Sequence, residues 1–220
     1  MSYYNQPAAA NYNSAPMHAQ RQRGYRICDQ CGTPETPSVK FRLCGGCMTT
    51  QYCSQDCQKV HWPSHKAICQ HTNLAKTLRK FASTHTTLLG WAGFQALQLK
   101  RVPANVRSSA LLVELSYHDH PESHRRFSIA GTHIVPQTYI RDPLVTADIQ
   151  RREQRCRQTG GIGTLVVILQ CGGVSQVMPV EVDPPAKITW DAREDWPAVL
   201  NHFVESGRTD FKPISTTARG

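Results

Sequence analysis

The chain has 220 residues, room for one ordinary domain beside a small module. Hydrophobic residues make up 40% and charged residues 19%, and no run of about 18 apolar residues occurs, which argues against a membrane-spanning helix. Lys and Arg number 25 against 16 Asp and Glu, a net charge of +9 that allows salt-sensitive contact with nucleic acid or acidic partners without establishing either.

In chain order, the opening MSYYNQPAAANYNS lacks the basic-then-apolar layout of a signal peptide. The expectation is an intracellular protein, in nucleus or cytoplasm. Residues 1–24 are rich in Asn, Gln, Ala, Ser and Tyr, hold two prolines and lack acidic residues. Such a composition buries too little apolar surface to offset its ordering entropy, so a disordered tail is predicted. Arg21, Arg23 and Arg26 close it, a basic cluster too short to read as a nuclear signal.

Seven of the nine cysteines fall between residues 28 and 69. Clustered, paired cysteines in a chain without an export signal read as metal ligands rather than a disulfide scaffold. The pairs are Cys28-x2-Cys31, Cys44-x2-Cys47, Cys53-x3-Cys57 and His65-x3-Cys69. A C-x2-C pair turns a knuckle that aims both sulfurs at one ion. An x3 spacing puts two ligands on one helix face. Eight ligands fill two tetrahedral zinc sites and leave no open position for a catalytic water, so the two ions are structural. Seven thiolates and two divalent ions lower the net charge from +9 to +6. His61 and His71 are rival sources of the one imidazole.

Residues 73–102 form a helical segment: Leu74, Leu78, Phe81, Leu88, Ala92, Ala96 and Leu99 recur near helical spacing. Thr72 or Asn73 is its expected N-cap, Gly90 and Gly93 weaken its middle enough to allow two helices, and Pro103 stops it. Residues 103–220 read as a small α+β domain. Its predicted elements are strands at 110–117 and 126–135 with a turn or bulge at Gly131, a helix at 143–157, a buried strand at 162–169, and a strand at 174–182 paired to it through Gly172-Gly173. A short helix at 195–206 follows. The polar run SYHDHPESHRR, with His118, Asp119, His120 and His124, reads as a solvated turn rather than a third metal site. Arg151, Arg152, Arg155 and Arg157 read as a solvated basic face, Cys156 as a helix-face residue and Cys171 as a strand-end residue.

The segments CDQC, CGGC, QYCSQDCQ and HWPSHKAIC, in the order six Cys, His, Cys, resemble the MYND-type zinc finger. The resemblance covers residues 28–69 and favours His65 over its rivals. It implies a cross-braced module, residues 25–72, with Cys28, Cys31, Cys53 and Cys57 on one zinc ion and Cys44, Cys47, His65 and Cys69 on the other. It further implies that protein partners bind through short proline-containing segments, at positions matching Gln58 and Trp62. The region beyond residue 72 resembles the uncharacterised regions that follow such fingers in fungal proteins, which implies no activity.

The expected function is therefore a non-enzymatic interaction module, an adaptor or transcriptional co-regulator. Two enzyme classes that carry this finger are disfavoured. A SET methyltransferase would show an Asn-His-Ser-Cys-like segment and a later tyrosine motif, whereas Asn201-His202 is followed by Phe203-Val204 and no Tyr follows Tyr139. An iron-dependent hydroxylase would need His-x-Asp, which does not occur. Direct DNA reading is also disfavoured, because residues 58–66 carry no arginine for a major-groove contact.

Overall fold

The computed structural model describes residues 26–215; the expected tail, with Arg21 and Arg23, lies outside the described residues. The chain divides into two units, Met1–Gln70 and His71–Gly220. Among the described residues no helix is long and apolar enough to cross a membrane.

The first unit has little regular structure. Two short strands, β1 (Arg42–Leu43) and β2 (Gln51–Tyr52), pair antiparallel. Its buried apolar cluster is Cys28, Phe41, Cys44, Cys47, Tyr52 and Cys69. Only Phe41 and Tyr52 among these are not cysteines, so without metal this unit has almost no core. Helix α1 (Gln55–Thr84) begins here and supplies residues to both units.

The expected N-cap at Thr72 or Asn73 does not occur. Both lie inside α1, which continues from the ligand-bearing turns without a stop signal. The Asn73 carbonyl accepts from the Thr77 hydroxyl at 2.9 Å, a bond made within a helix rather than at its start. Helix α2 (Thr86–Ala96) follows after a break at His85, whose φ and ψ are −102° and 21°. The break therefore lies ahead of Gly90 and Gly93, and both glycines are buried inside α2. At Gly93 a Cβ would stand 3.0–3.1 Å from the methyl groups of Leu165 and Val167, so the missing side chain lets helix and sheet approach. The end of α2 is closed by Asn105, whose Nδ2 donates to the Leu97 carbonyl at 2.9 Å. Pro103 lies beyond that end, before a one-turn helix α3 (Asn105–Ser108).

The sheet of the second unit has the order β4-β3-β5-β6. Strands β3 (Ser109–Tyr117) and β4 (Phe127–Pro136) are antiparallel, with a bulge where Glu114 pairs with Gly131 and Leu115 with Ile129. The extra residue is Ala130, next to the glycine expected to mark it. Helix α4 (Pro143–Gln158) is capped by Asp142, whose carboxylate accepts from the Leu144 and Val145 amides with Pro143 at the first helical position. It returns the chain to β5 (Gly163–Cys171), parallel to β3, and a two-residue turn leads into antiparallel β6 (Val174–Val182). Helix α5 (Trp196–Glu205) completes the predicted succession strand, strand, helix, strand, strand, helix.

Alternation on the central strands divides the core. Leu111, Val113, Leu115, Val167 and Leu169 face Leu78 and Phe81 of α1, Leu88 and Ala92 of α2, and Leu200 of α5. Ala110, Leu112, Val166 and Ile168 face Ile149 of α4. With both faces covered, β5 is buried from Gly163 to Leu169, as its continuous apolar run requires. The helices expected as a separate segment at 73–102 thus share one unit, and one core, with the sheet.

Candidate metal centre

The two C-x2-C pairs form the same hydrogen-bonded knuckle. The Cys28 carbonyl accepts from Gly32 and the Cys44 carbonyl from Met48, each at 2.9 Å. The Cys28 amide reaches the Thr33 carbonyl and the Cys44 amide that of Thr50. Gly46 leaves space for a ligand from elsewhere in the sequence: a Cβ there would lie 2.7 Å from the Cys69 sulfur. Helix α1 carries Cys57, His65 and Cys69, while Cys53 stands just ahead of it.

These elements bring the eight donors into two clusters, Cys28, Cys31, Cys53, Cys57 and Cys44, Cys47, His65, Cys69, within each of which all ligand atoms lie within 4.8 Å of one another. Sulfurs of Cys31 and Cys53 are 3.6 Å apart, those of Cys53 and Cys57 3.5 Å, and those of Cys44 and Cys69 3.6 Å. Nε2 of His65 lies 3.6 Å from the Cys47 sulfur. Zinc with Zn–S near 2.3 Å spaces tetrahedral sulfurs about 3.8 Å apart, so the donor set fits two structural Zn2+ ions. The interleaved pairing implied by the resemblance is the pairing found.

The thiol electrostatics point the same way. Hydrogen bonds from Thr33 pull Cys31 down to about 6. At Cys47, burial raises the pKa but is outweighed by Thr49 and Thr50, leaving it at about 5. Cys53 is pushed up to about 12, first by its bond with Cys57, and Cys69 to about 11 by burial and then by Cys44 and Cys47. Each cluster therefore pairs a readily ionised thiol with one that resists sharing the negative charge. A divalent cation at the centre removes that resistance.

Neither rival histidine belongs to a cluster. His61 has its own role: its Nδ1 is 2.9 Å from the Tyr52 hydroxyl, and its ring stacks on His65 at 5.3 Å. Burial, followed by the charge of Cys44, pushes Tyr52 up to about 12, so its hydroxyl stays protonated where it meets His61. His71 is exposed and falls in the second unit.

A polar network without a spacing signature ties the first knuckle to the hairpin. The Asp29 carboxylate accepts from the Gln51 amide at 2.7 Å, and the Gln51 side-chain amide donates to the Ile27 carbonyl. Arg26 bonds Gln51 and pairs with Glu35, and Glu35 also accepts from the Phe41 amide. Arg26, read as the end of a basic tail, is thus part of the finger.

Outside the finger no further group of metal donors gathers among the described residues. The His118–His124 run is a turn: the His118 amide bonds the Arg126 carbonyl, Arg126 bonds the His120 carbonyl, and His120 Nδ1 accepts from the Glu122 amide. Cys156 donates to the Gly163 and Val182 carbonyls beneath α4, and Cys171 is buried at the end of β5. The four arginines of α4 are all ion-paired: Arg151 and Arg152 with Asp148, Arg155 with Glu181, and Arg157 with Glu153.

The model of the MYND finger family matches residues 28–69. That stretch is a MYND finger. Dauer abnormal formation protein 25 of Caenorhabditis elegans is 33% identical over 90 residues, 41% of this chain and 21% of that protein. N-lysine methyltransferase SMYD2-B of Danio rerio is 46% identical over 44 residues, 20% of this chain and 9% of the other. MYND-type zinc finger protein samB of Aspergillus clavatus is 41% identical over 51 residues, 22% of this chain and 8% of the other. The chain thus spans only about a tenth to a fifth of these relatives' length, and the methyltransferase likeness is limited to the finger's size. No solved structure matches the chain. The MYND finger is a zinc-stabilised protein-interaction module.

Proposed function

We propose that the chain is a non-enzymatic adaptor or transcriptional co-regulator, acting in nucleus or cytoplasm, whose MYND finger captures proline-containing segments of partner proteins. The observation that carries this reading is the placement of Trp62. Its side chain is 41% exposed although it lies between the zinc-ligating residues of α1, and its ring meets His65 edge-on at 6.1 Å. Gln58 lies one turn earlier on the same helix, partly exposed. An indole fixed on a metal-anchored helix offers a flat apolar face to proline rings at little entropic cost, and an amide beside it can bond a peptide backbone.

Neither rival class finds comparable support. The methyltransferase relative matches no more than the finger, and the basic face of α4 is engaged by the carboxylates of Asp148, Glu153 and Glu181 rather than left for phosphates. The test is the full chain, zinc-loaded, against an array of proline-containing peptides beside Trp62→Ala. Selective binding weakened about tenfold or more in the variant, with both zinc ions retained, supports the reading. Equal binding by the variant, or none by either protein, rejects it.

A further inference from the structure

The second unit holds a pocket of about 390 Å³ between α2, α5 and the segment 211–214. Trp91 of α2 lies at its base, and Phe203 and Phe211 stand at 5.1 Å edge-to-face, with Trp91 and Phe211 5.0 Å apart. The Ile214 side chain adds to the apolar wall and is 62% exposed. This chain segment is held in place partly by its backbone: the Asp191 amide reaches the Ile214 carbonyl at 3.4 Å.

The charged residues that line this pocket are cations, with Asp195 on Arg193 and Asp210 near Lys212 standing outside the lining. Arg193 and Lys212 line it, His202 is the remaining polar lining residue, and no carboxylate does. Arg193 commits its Nε, at 2.7 Å, and one further nitrogen to the Asp195 carboxylate, whereas Lys212 is exposed on the side bearing Phe211 and Ile214. Arg208 already lies over the Phe203 ring at 5.0 Å, so an apolar interior edged by further cations rewards a ligand with an apolar body and an anionic end. The volume lies at the small end of the usual range for small-molecule sites.

We propose that this pocket binds a small amphiphilic carboxylate, its hydrocarbon part against Trp91, Phe203 and Phe211 and its carboxylate at Lys212. The site is independent of the zinc finger and of the peptide reading above. Titration calorimetry of the full zinc-loaded chain with octanoate, octanol and octylammonium tests it. Saturable one-to-one binding of octanoate, at least tenfold tighter than either other probe, is expected. Lys212→Glu should weaken octanoate at least tenfold. Ala198→Phe, at an exposed lining position, should abolish binding by filling the pocket without touching the core. Octanol binding as tightly as octanoate, an unaffected Ala198→Phe variant, or no octanoate binding would overturn the proposal. Self-association of the chain that Ala198→Phe disrupts would also overturn it, by showing that a second copy occupies the pocket.

Discussion

At the scale of single residues, three histidines show how environment decides role. His65 and His61 stand four residues apart on α1, yet Nε2 of His65 faces the Cys47 sulfur while Nδ1 of His61 is engaged by the Tyr52 hydroxyl. His65→Ala should therefore lower bound zinc from two ions to one in native mass spectrometry. His61→Ala should keep both ions and only soften the fold, by about 1 kcal/mol for the lost hydrogen bond; loss of an ion in His61→Ala would refute the assignment. The third, His85, is 2% exposed at the break between α1 and α2, and its Nε2 has no partner. Burial, then the nearby His124, lowers its pKa from 6.5 to about 4. The unfolded chain takes up that proton first, so the stability held above pH 6.5 is lost as pH falls toward 4. Denaturant unfolding followed by tryptophan emission should show a smaller loss between pH 7.5 and 5.5 in His85→Phe than in the parent chain. Equal losses would mean that other groups carry the dependence.

At the scale of elements, the contact of α2 with the sheet separates two glycines that look alike in sequence. A Cβ on Gly93 would press on Leu165 and Val167 of central strand β5 at 3.0–3.1 Å, whereas one on Gly90 would meet Val180 at 3.5 Å, an ordinary contact. Gly93→Ala should destabilise by about 1–2 kcal/mol, since overpacking outweighs the gain in helix propensity. Gly90→Ala should be neutral or stabilising by up to about 1 kcal/mol. Urea midpoints of the two variants check this, and the reverse order would contradict the packing described. The start of α1 shows why residue type alone does not locate a cap. Thr72 and Asn73 have the right chemistry for one, but caps form only where a helix begins, and α1 begins at Gln55, ahead of its ligand-bearing turns.

At the scale of the molecule, the two units are stabilised by different physics. The first buries mostly sulfur ligands, while the second has an apolar core on both faces of its sheet. Removing zinc with a strong chelator should unfold the finger, abolish its peptide binding and leave the sheet amides protected from hydrogen exchange. Loss of protection throughout β3 and β5 would show that the second unit depends on the metal.

The sequence by itself determined the four ligand pairs, with the choice of His65 and the interleaving implied by the family resemblance, and the succession of strands and helices beyond the finger. The pairs and the succession rest on local spacing: two residues between knuckle cysteines, three between helical ligands, alternation along strands, and an uninterrupted apolar run where a strand is covered twice. Only the tertiary structure decided the rest. It placed the helix break at His85 rather than at the glycines, since Gly93 is there to admit β5. It joined the helices of 73–102 to the sheet in one core and gave His61 to Tyr52. It also paired Arg155 of α4 with Glu181 of β6 and set Lys212 beside an aromatic pocket. Each of these depends on which residues distant in sequence come within a few ångströms, and spacing along the chain carries no record of that.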